Sequence, residues 1–231
     1  MKKQALFLSG LFATSVGLAQ FPSTEQGFTD VGNLPGWVIS NQSDPIGETS
    51  WFQGSDTSTV MIAQEGVENS FIAANYRNTT GTEETNATIC NYLIMPELGN
   101  LASVSFYTRS RIASNNFNIY PDRLYVVYSP TGEINTGNCT EDFGDFTETL
   151  MVINPDLTKT PTFPEGYPLQ TWEQFSVDIN GDGRVAFVYY VEDAGFYGTN
   201  SNYIGIDTVE WVLAPLVNSK PLYIQPKLPK K

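Results

Sequence analysis

Asp207 stands inside an otherwise apolar run, Tyr203-Ile204-Gly205-Ile206-Asp207-Thr208-Val209-Glu210-Trp211. A carboxylate in such a setting has to be ligated or hydrogen-bonded, because burying an unpartnered charge is prohibitive. Strand side chains alternate between two faces, so Ile204 and Ile206 share one direction while Val209 and Trp211 take the other. The apolar phase therefore switches at Asp207-Thr208, which predicts a bulge or a change of sheet there. Two chemistries satisfy the carboxylate. One is Ca²⁺, which takes six to eight hard oxygens. Glu25 and Asp30 near the start and Asp193 in the loop before the strand are the companions expected for such an ion. The other is a set of backbone amides donated by a neighbouring loop.

The loop 193–202 is rich in Asp, Gly, Asn and Ser and carries two adjacent aromatics. Phe196, Tyr197, Asn200 and Asn202 combine ring faces with amide groups and are the expected ligand contacts, since binding groups concentrate on loops. Trp51, Trp172 and Trp211 also have the ring area to stack on a sugar, but aromatics contribute most often as packing. Asp178-Ile179-Asn180-Gly181-Asp182-Gly183 opens like a calcium loop. Its twelfth position, however, is Tyr189 rather than glutamate, and a β-hairpin turn is the preferred reading. The chain contains no histidine, which removes imidazole triads and the usual zinc sites. A carboxylate pair of the glycosidase kind is the one catalytic alternative, and no pair of acids is singled out for it.

Lys2 and Lys3 precede an apolar run that ends at Gly17-Leu18-Ala19, the pattern of an export signal cleaved after Ala19. The run is shorter than the roughly 20 residues a membrane span needs. Loss of Lys2 and Lys3 moves the formal charge from −13 to −15. Such a surface repels nucleic acid and anionic lipid. In an exported chain the two cysteines, Cys90 and Cys139, are expected to be bridged. The bridge would contribute about 4 kcal/mol by restricting the unfolded chain.

The elements that position these groups read as strands. The chain has 19 Gly and 14 Pro with 41% hydrophobic residues, and no long segment carries helical periodicity. Val60-Met61-Ile62 and Phe71-Ile72-Ala73-Ala74 read as short buried strands. Val104 and Phe106 point inward on a strand whose expected partner is Arg123-Leu124-Tyr125-Val126-Val127-Tyr128. Phe175 to Ile179 alternates and is expected to form a hairpin with Arg184 to Val191 across Asn180-Gly181-Asp182-Gly183. That second strand is apolar on both faces and belongs in the middle of a sheet. The sum is an all-β antiparallel sandwich. Its expected division is an export signal (1–19), a single β domain (20–213) and an extended Pro- and Lys-bearing tail (214–231).

Several islands, in order and spacing, resemble the choice-of-anchor J domain of exported bacterial proteins, which is related to the cleaved adhesin domains. They are Leu34-Pro35-Gly36-Trp37, Trp51-Phe52-Gln53-Gly54, Asn69-Ser70-Phe71-Ile72-Ala73-Ala74-Asn75-Tyr76, Asn91-Tyr92-Leu93-Ile94-Met95-Pro96-Glu97-Leu98, Tyr120-Pro121-Asp122-Arg123-Leu124, and Asp193-Ala194-Gly195 running to Asn202-Tyr203-Ile204-Gly205-Ile206-Asp207-Thr208-Val209. The resemblance implies a jelly-roll sandwich that is non-catalytic and often holds a structural Ca²⁺ where the first and last strands meet. The implied function is a secreted or cell-surface adhesion or ligand-binding module. Its expected partner is an extracellular glycan or a surface protein. Two other roles stay open at this point: a carbohydrate-active enzyme, and a self-associating structural protein of the envelope or matrix.

Overall fold

The computed structural model describes residues 23–55, 60–111 and 119–215. The expected export signal and all but the first two residues of the expected tail lie outside the described residues. Among the described residues eleven strands run in chain order. They are β1 (Ser23–Gln26), β2 (Val38–Asn41), β3 (Phe52–Gln53), β4 (Ile72–Asn75), β5 (Ile89–Ile94) and β6 (Leu101–Ser110), followed by β7 (Leu124–Ser129), β8 (Glu148–Ile153), β9 (Glu173–Gly181), β10 (Arg184–Val191) and β11 (Tyr203–Leu213). One short 3-10 turn, Tyr76–Asn78, follows β4. Among the described residues no helix is long and apolar enough to cross a membrane.

The strands form two antiparallel sheets, as expected for a jelly-roll sandwich. One has the order β3-β4-β11-β6-β9, with β1 added beside β11; the other has the order β2-β5-β10-β7-β8. The core between them contains Phe106, Phe187, Leu93, Val126, Ile204 and Trp211. Each such side chain contributes about 1.5–3 kcal/mol by leaving water. β10 is central, between β5 and β7. Its Val185, Phe187, Tyr189 and Val191 face the core, and Ala186, Val188 and Tyr190 face outward. A strand apolar on both sides needs cover on both sides, and the loop 135–146 supplies it. Phe143 and Phe146 pack over the outer face, pinned by the Cys90–Cys139 disulfide, whose Cα atoms are 5.8 Å apart.

Three expectations are corrected. β6 does not pair with β7; it lies between β11 and β9 in the opposite sheet. The segment 180–183 is not a hairpin turn either, because β9 pairs with β6 while β10 pairs with β5 and β7. The chain crosses there from one layer to the other, close over Tyr128. The Gly183 N–H donates to the Tyr128 hydroxyl at 2.9 Å, and a Cβ on Gly183 would come within 2.1 Å of the Ser129 carbonyl oxygen. Turn-forming residues announce a reversal but not the layer in which the chain resumes. Finally, Val60-Met61-Ile62 is not a strand. Met61 is buried against Phe71 and Ala73 while Ile62 is exposed, so this segment roofs the outer face of the β11 sheet.

Candidate functional site

The phase switch in β11 resolves as a bulge. The register with β6 shifts between Asp207 and Glu210, and Thr208 adopts a positive φ of 46°. The extra residue returns the later half of the strand to the original face, so Ile204, Ile206, Val209 and Trp211 all reach the core. Asp207 is fully buried. Its Oδ2 accepts from the amides of Gln64 at 2.8 Å and Glu65 at 3.3 Å, and its Oδ1 accepts from Thr208 N at 2.7 Å. Backbone amides therefore satisfy this carboxylate. They come from the roofing segment around Gln64, not from the loop 193–202 beside which the sequence places Asp207. Desolvation pushes its pKa up to about 6 despite these bonds.

The carboxylates named for calcium do not form one donor set. Glu25 lies opposite Glu210 in the β1–β11 pairing, and Glu25 and Asp207 feel each other's charge. Burial, Glu65 and Glu210 raise the Glu25 pKa. Asp30 caps its own turn, accepting from Gly32 N at 3.0 Å. Asp193 accepts from the amide and hydroxyl of Thr199 within its own loop. Among the described residues no group of three or more His, Cys, Asp or Glu side chains is placed to hold a metal ion. As arranged, the set does not fit a calcium ion.

The expected ligand loop, 193–202, is folded tightly. Asn200 N donates to the Asp193 carbonyl at 3.0 Å, and Ser201 N to that of Pro121 at 2.9 Å. The Ser201 hydroxyl accepts from Gly195 N at 3.0 Å. Gly195 takes a φ of 90°, and a Cβ on Gly198 would come within 2.2 Å of the Asp193 carbonyl. This frame divides the expected contact residues into two kinds. Asn200 and Asn202 are turned to the scaffold, with Asn200 Nδ2 donating to the Glu192 carbonyl at 2.9 Å and Asn202 Nδ2 to that of Arg111 at 2.6 Å. Phe196 and Tyr197 are presented to solvent at 75% and 53% exposure. Their rings meet edge to face with centroids 5.1 Å apart, and Phe196 also leans on Tyr76 at 6.4 Å.

Beneath the loop lies a residue that sequence reasoning passed over, Asp122. It is buried, and its Oδ1 accepts from the Tyr189 hydroxyl at 2.6 Å and Asn202 N at 2.8 Å. Its Oδ2 accepts from the Ser110 hydroxyl at 2.5 Å. These partners come from β6, β10 and the last residue of the loop before β11, so one carboxylate joins the two sheets and the loop. Desolvation again lifts the pKa to about 6. The hint in the sequence was an acid one residue after a proline and two before an apolar strand. Nearby, Arg123 donates to the Tyr190 carbonyl at 2.9 Å and pairs with Glu192, its guanidinium 4.3 Å from the Tyr190 ring centroid.

Two hollows open on either side of the Phe196–Tyr76 ridge. One, of about 320 Å³, is lined by Glu48, Arg77, Thr80 and Tyr197 in addition to the ridge. The other, of about 270 Å³, is lined by Arg111, Tyr120, Ser201 and Asn202. The four tryptophans are not part of this surface. Trp51 is buried and donates to the Asn91 carbonyl, Trp211 is in the core, Trp37 packs on Phe28, and Trp172 packs on Phe71.

No family model matches the chain, and no curated protein matches it. Among solved structures it is similar to cleaved adhesin domains of Lys-gingipain. The K1 domain from Porphyromonas gingivalis W83 is 21% identical, with 84% of this chain and 99% of that one covered and a TM-score of 0.54. For the K2 domain the identity is 18%, the coverage 83% and 98%, and the TM-score 0.56. The K3 domain, also from strain W83, gives 16%, 84% and 100%, and 0.51. At these identities the likeness is one of fold. The chain has the β-sandwich architecture of cleaved adhesin domains over the greater part of its length.

Proposed function

We propose that this chain is an exported, non-catalytic binding module of the choice-of-anchor J kind, and that it holds an extracellular glycan on the surface built around Phe196, Tyr197 and Tyr76. The observation that carries this reading is the exposure of two adjacent aromatic rings on a loop whose backbone is held by its own hydrogen bonds and by Asp122. A rigid platform of ring faces suits the apolar faces of a sugar, because little ordering remains to be done on contact. Outward apolar cover elsewhere is taken up by the two roofing segments, which pack over apolar side chains on part of the outer face of each sheet. Among the described residues Glu48 is the one carboxylate lining the two hollows, which suits binding better than hydrolysis by a carboxylate pair.

The test is affinity electrophoresis and a glycan array with the mature chain and with Phe196→Ala and Tyr197→Ala. Both rings are exposed, so each substitution should leave the Tm within about 0.5 kcal/mol equivalent of the parent. Each should weaken glycan retention about tenfold, the scale of a lost stacking contact. Retention unchanged in both variants, or turnover of the polysaccharide by the parent, would overturn the reading.

A further inference from the structure

The larger hollow beside the Phe196–Tyr76 ridge holds two side chains of opposite charge next to each other, Glu48 and Arg77. Arg77 lies in the short turn Tyr76–Asn78, which Asn75 caps. The Asn75 side chain accepts from Arg77 N at 2.9 Å, and the Asn78 side chain accepts from Asn75 N at 2.7 Å. Glu48 sits between two residues fixed to that turn. Gly47 N donates to the Asn78 carbonyl at 2.9 Å and Thr49 N to the Arg77 carbonyl at 3.2 Å. The approach is so close that a Cβ on Gly47 would come within 2.1 Å of the Arg77 carbonyl oxygen. Both backbones are therefore set before any ligand arrives. The Glu48 Oε2 is 3.6 Å from Arg77 Nη2, with the two side chains 66% and 57% exposed. An ion pair so long and so exposed is weak, so its charged atoms keep hydrogen-bonding capacity for a solute. The hydroxyls of Thr79 and Thr80 are committed to the Pro45 and Ile46 carbonyls, and Phe196 and Tyr197 add exposed rings to the same lining.

From this arrangement we infer that the hollow takes a neutral pyranose by two adjacent ring hydroxyls, one donating to the Glu48 carboxylate and the other accepting from the Arg77 guanidinium, while the sugar ring lies against Phe196 and Tyr197. The inference rests on the glycan-binding reading above and names its ligand class. A hydroxyl both donates and accepts, so an adjacent pair of them matches an acceptor and a donor held side by side, and each bond is charge-assisted. A uronate carboxylate only accepts. It would meet Arg77 but set its charge against Glu48, on a chain whose formal charge is already −13. Both effects disfavour acidic polymers.

The experiment uses affinity electrophoresis or titration calorimetry with the mature chain on soluble neutral polymers of two linkages and on polygalacturonate. Chains of 1,4-linked glucose, mannose or xylose present adjacent free 2- and 3-hydroxyls on each ring. A 1,3-linked glucan keeps the rings but has no two adjacent free hydroxyls along the chain. At least one 1,4-linked neutral polymer should be retained about tenfold more strongly than the 1,3-linked glucan and than polygalacturonate, the scale of a charged hydrogen bond. Glu48→Gln and Arg77→Gln should each lower that retention about tenfold, with the Tm unchanged because the exposed pair itself contributes little. Glu48→Gln should also narrow the margin over polygalacturonate, because the repelling carboxylate is gone. A side chain that only supported the loop would not shift that ratio. Equal retention of the two linkages, a preference for polygalacturonate, or variants that bind like the parent would overturn the inference and leave the glycan reading standing. Retention of none of the polymers would overturn it too, and together with an empty glycan array would overturn both.

Discussion

Two buried aspartates hold two loops in this sandwich, and they do so for different ends. Asp207 ties the bulge of β11 to the amides of Gln64 and Glu65, and the segment it holds folds Met61 down over the sheet. Asp122 ties Ser110, Tyr189 and the amide of Asn202 together, and the loop it supports turns Phe196 and Tyr197 outward. The first arrangement hides apolar surface, whereas the second displays it. Burial of an acid thus marks an anchoring point in both places, and the fate of the neighbouring aromatics separates packing from contact.

The sharpest way to break this comparison is Asp122→Ala. It would strand two buried hydroxyls and one amide, each costing about 1–3 kcal/mol when left without a partner. A loss of about 4 kcal/mol in chemical denaturation is expected, together with loss of glycan retention because the loop frame loosens. Full stability in the variant would show that the network does not hold the sheets together. Asp207→Asn should cost less, about 2 kcal/mol, since one amide oxygen still accepts while the new NH₂ faces a backbone donor. It should leave binding at Phe196 unchanged. A matching loss of binding would mean that the two regions are coupled and that Asp207 also supports the Phe196 loop.

The smallest effect is the pH dependence. Both acids have folded-state pKa values raised from 3.8 to about 6, so the folded state holds their protons longer than the unfolded chain does. Their favourable contribution is complete below about pH 4 and is lost as pH rises through about 6. The Tm should therefore be a few degrees higher at about pH 5 than at about pH 7.5, with the slope reduced in Asp122→Asn and Asp207→Asn. A parent Tm that rises steadily over that interval would contradict the sign.

Much of this frame could be read from local patterns. The two-faced apolar run at Val185 to Val191 placed β10 centrally, and the phase switch around Asp207 located a bulge. An aromatic pair in a loop of Gly, Asn and Ser marked the candidate contact surface. What failed was nonlocal. Asn180-Gly181-Asp182-Gly183 has the chemistry of a hairpin turn, yet the packing of Tyr128 beneath it sends the chain to the other layer. The partner loop of Asp207 lies more than a hundred residues earlier, and no local signal ties Gln64 to it. Asn200 and Asn202 were rightly assigned to the loop, but their amides serve its frame. Arg77 and Arg111 reach the hollows through pairings of β4 and β6 with β11, which a one-dimensional pattern does not reveal.

The register of β1 against β11 sets Ser23 beside Val212, so the chain enters and leaves the sandwich side by side. The loop bearing Phe196 precedes Tyr203 at the other end of the same strand. That strand is 11 residues long, which places the Phe196 loop about 30 Å from the points where the chain enters and leaves the sandwich. Flanking sequence, fused partners or a tether to a surface can thus be changed at the base without reaching the tip. If the Phe196 loop is the contact surface proposed above, the geometry leaves it facing away from whatever the two chain ends are joined to.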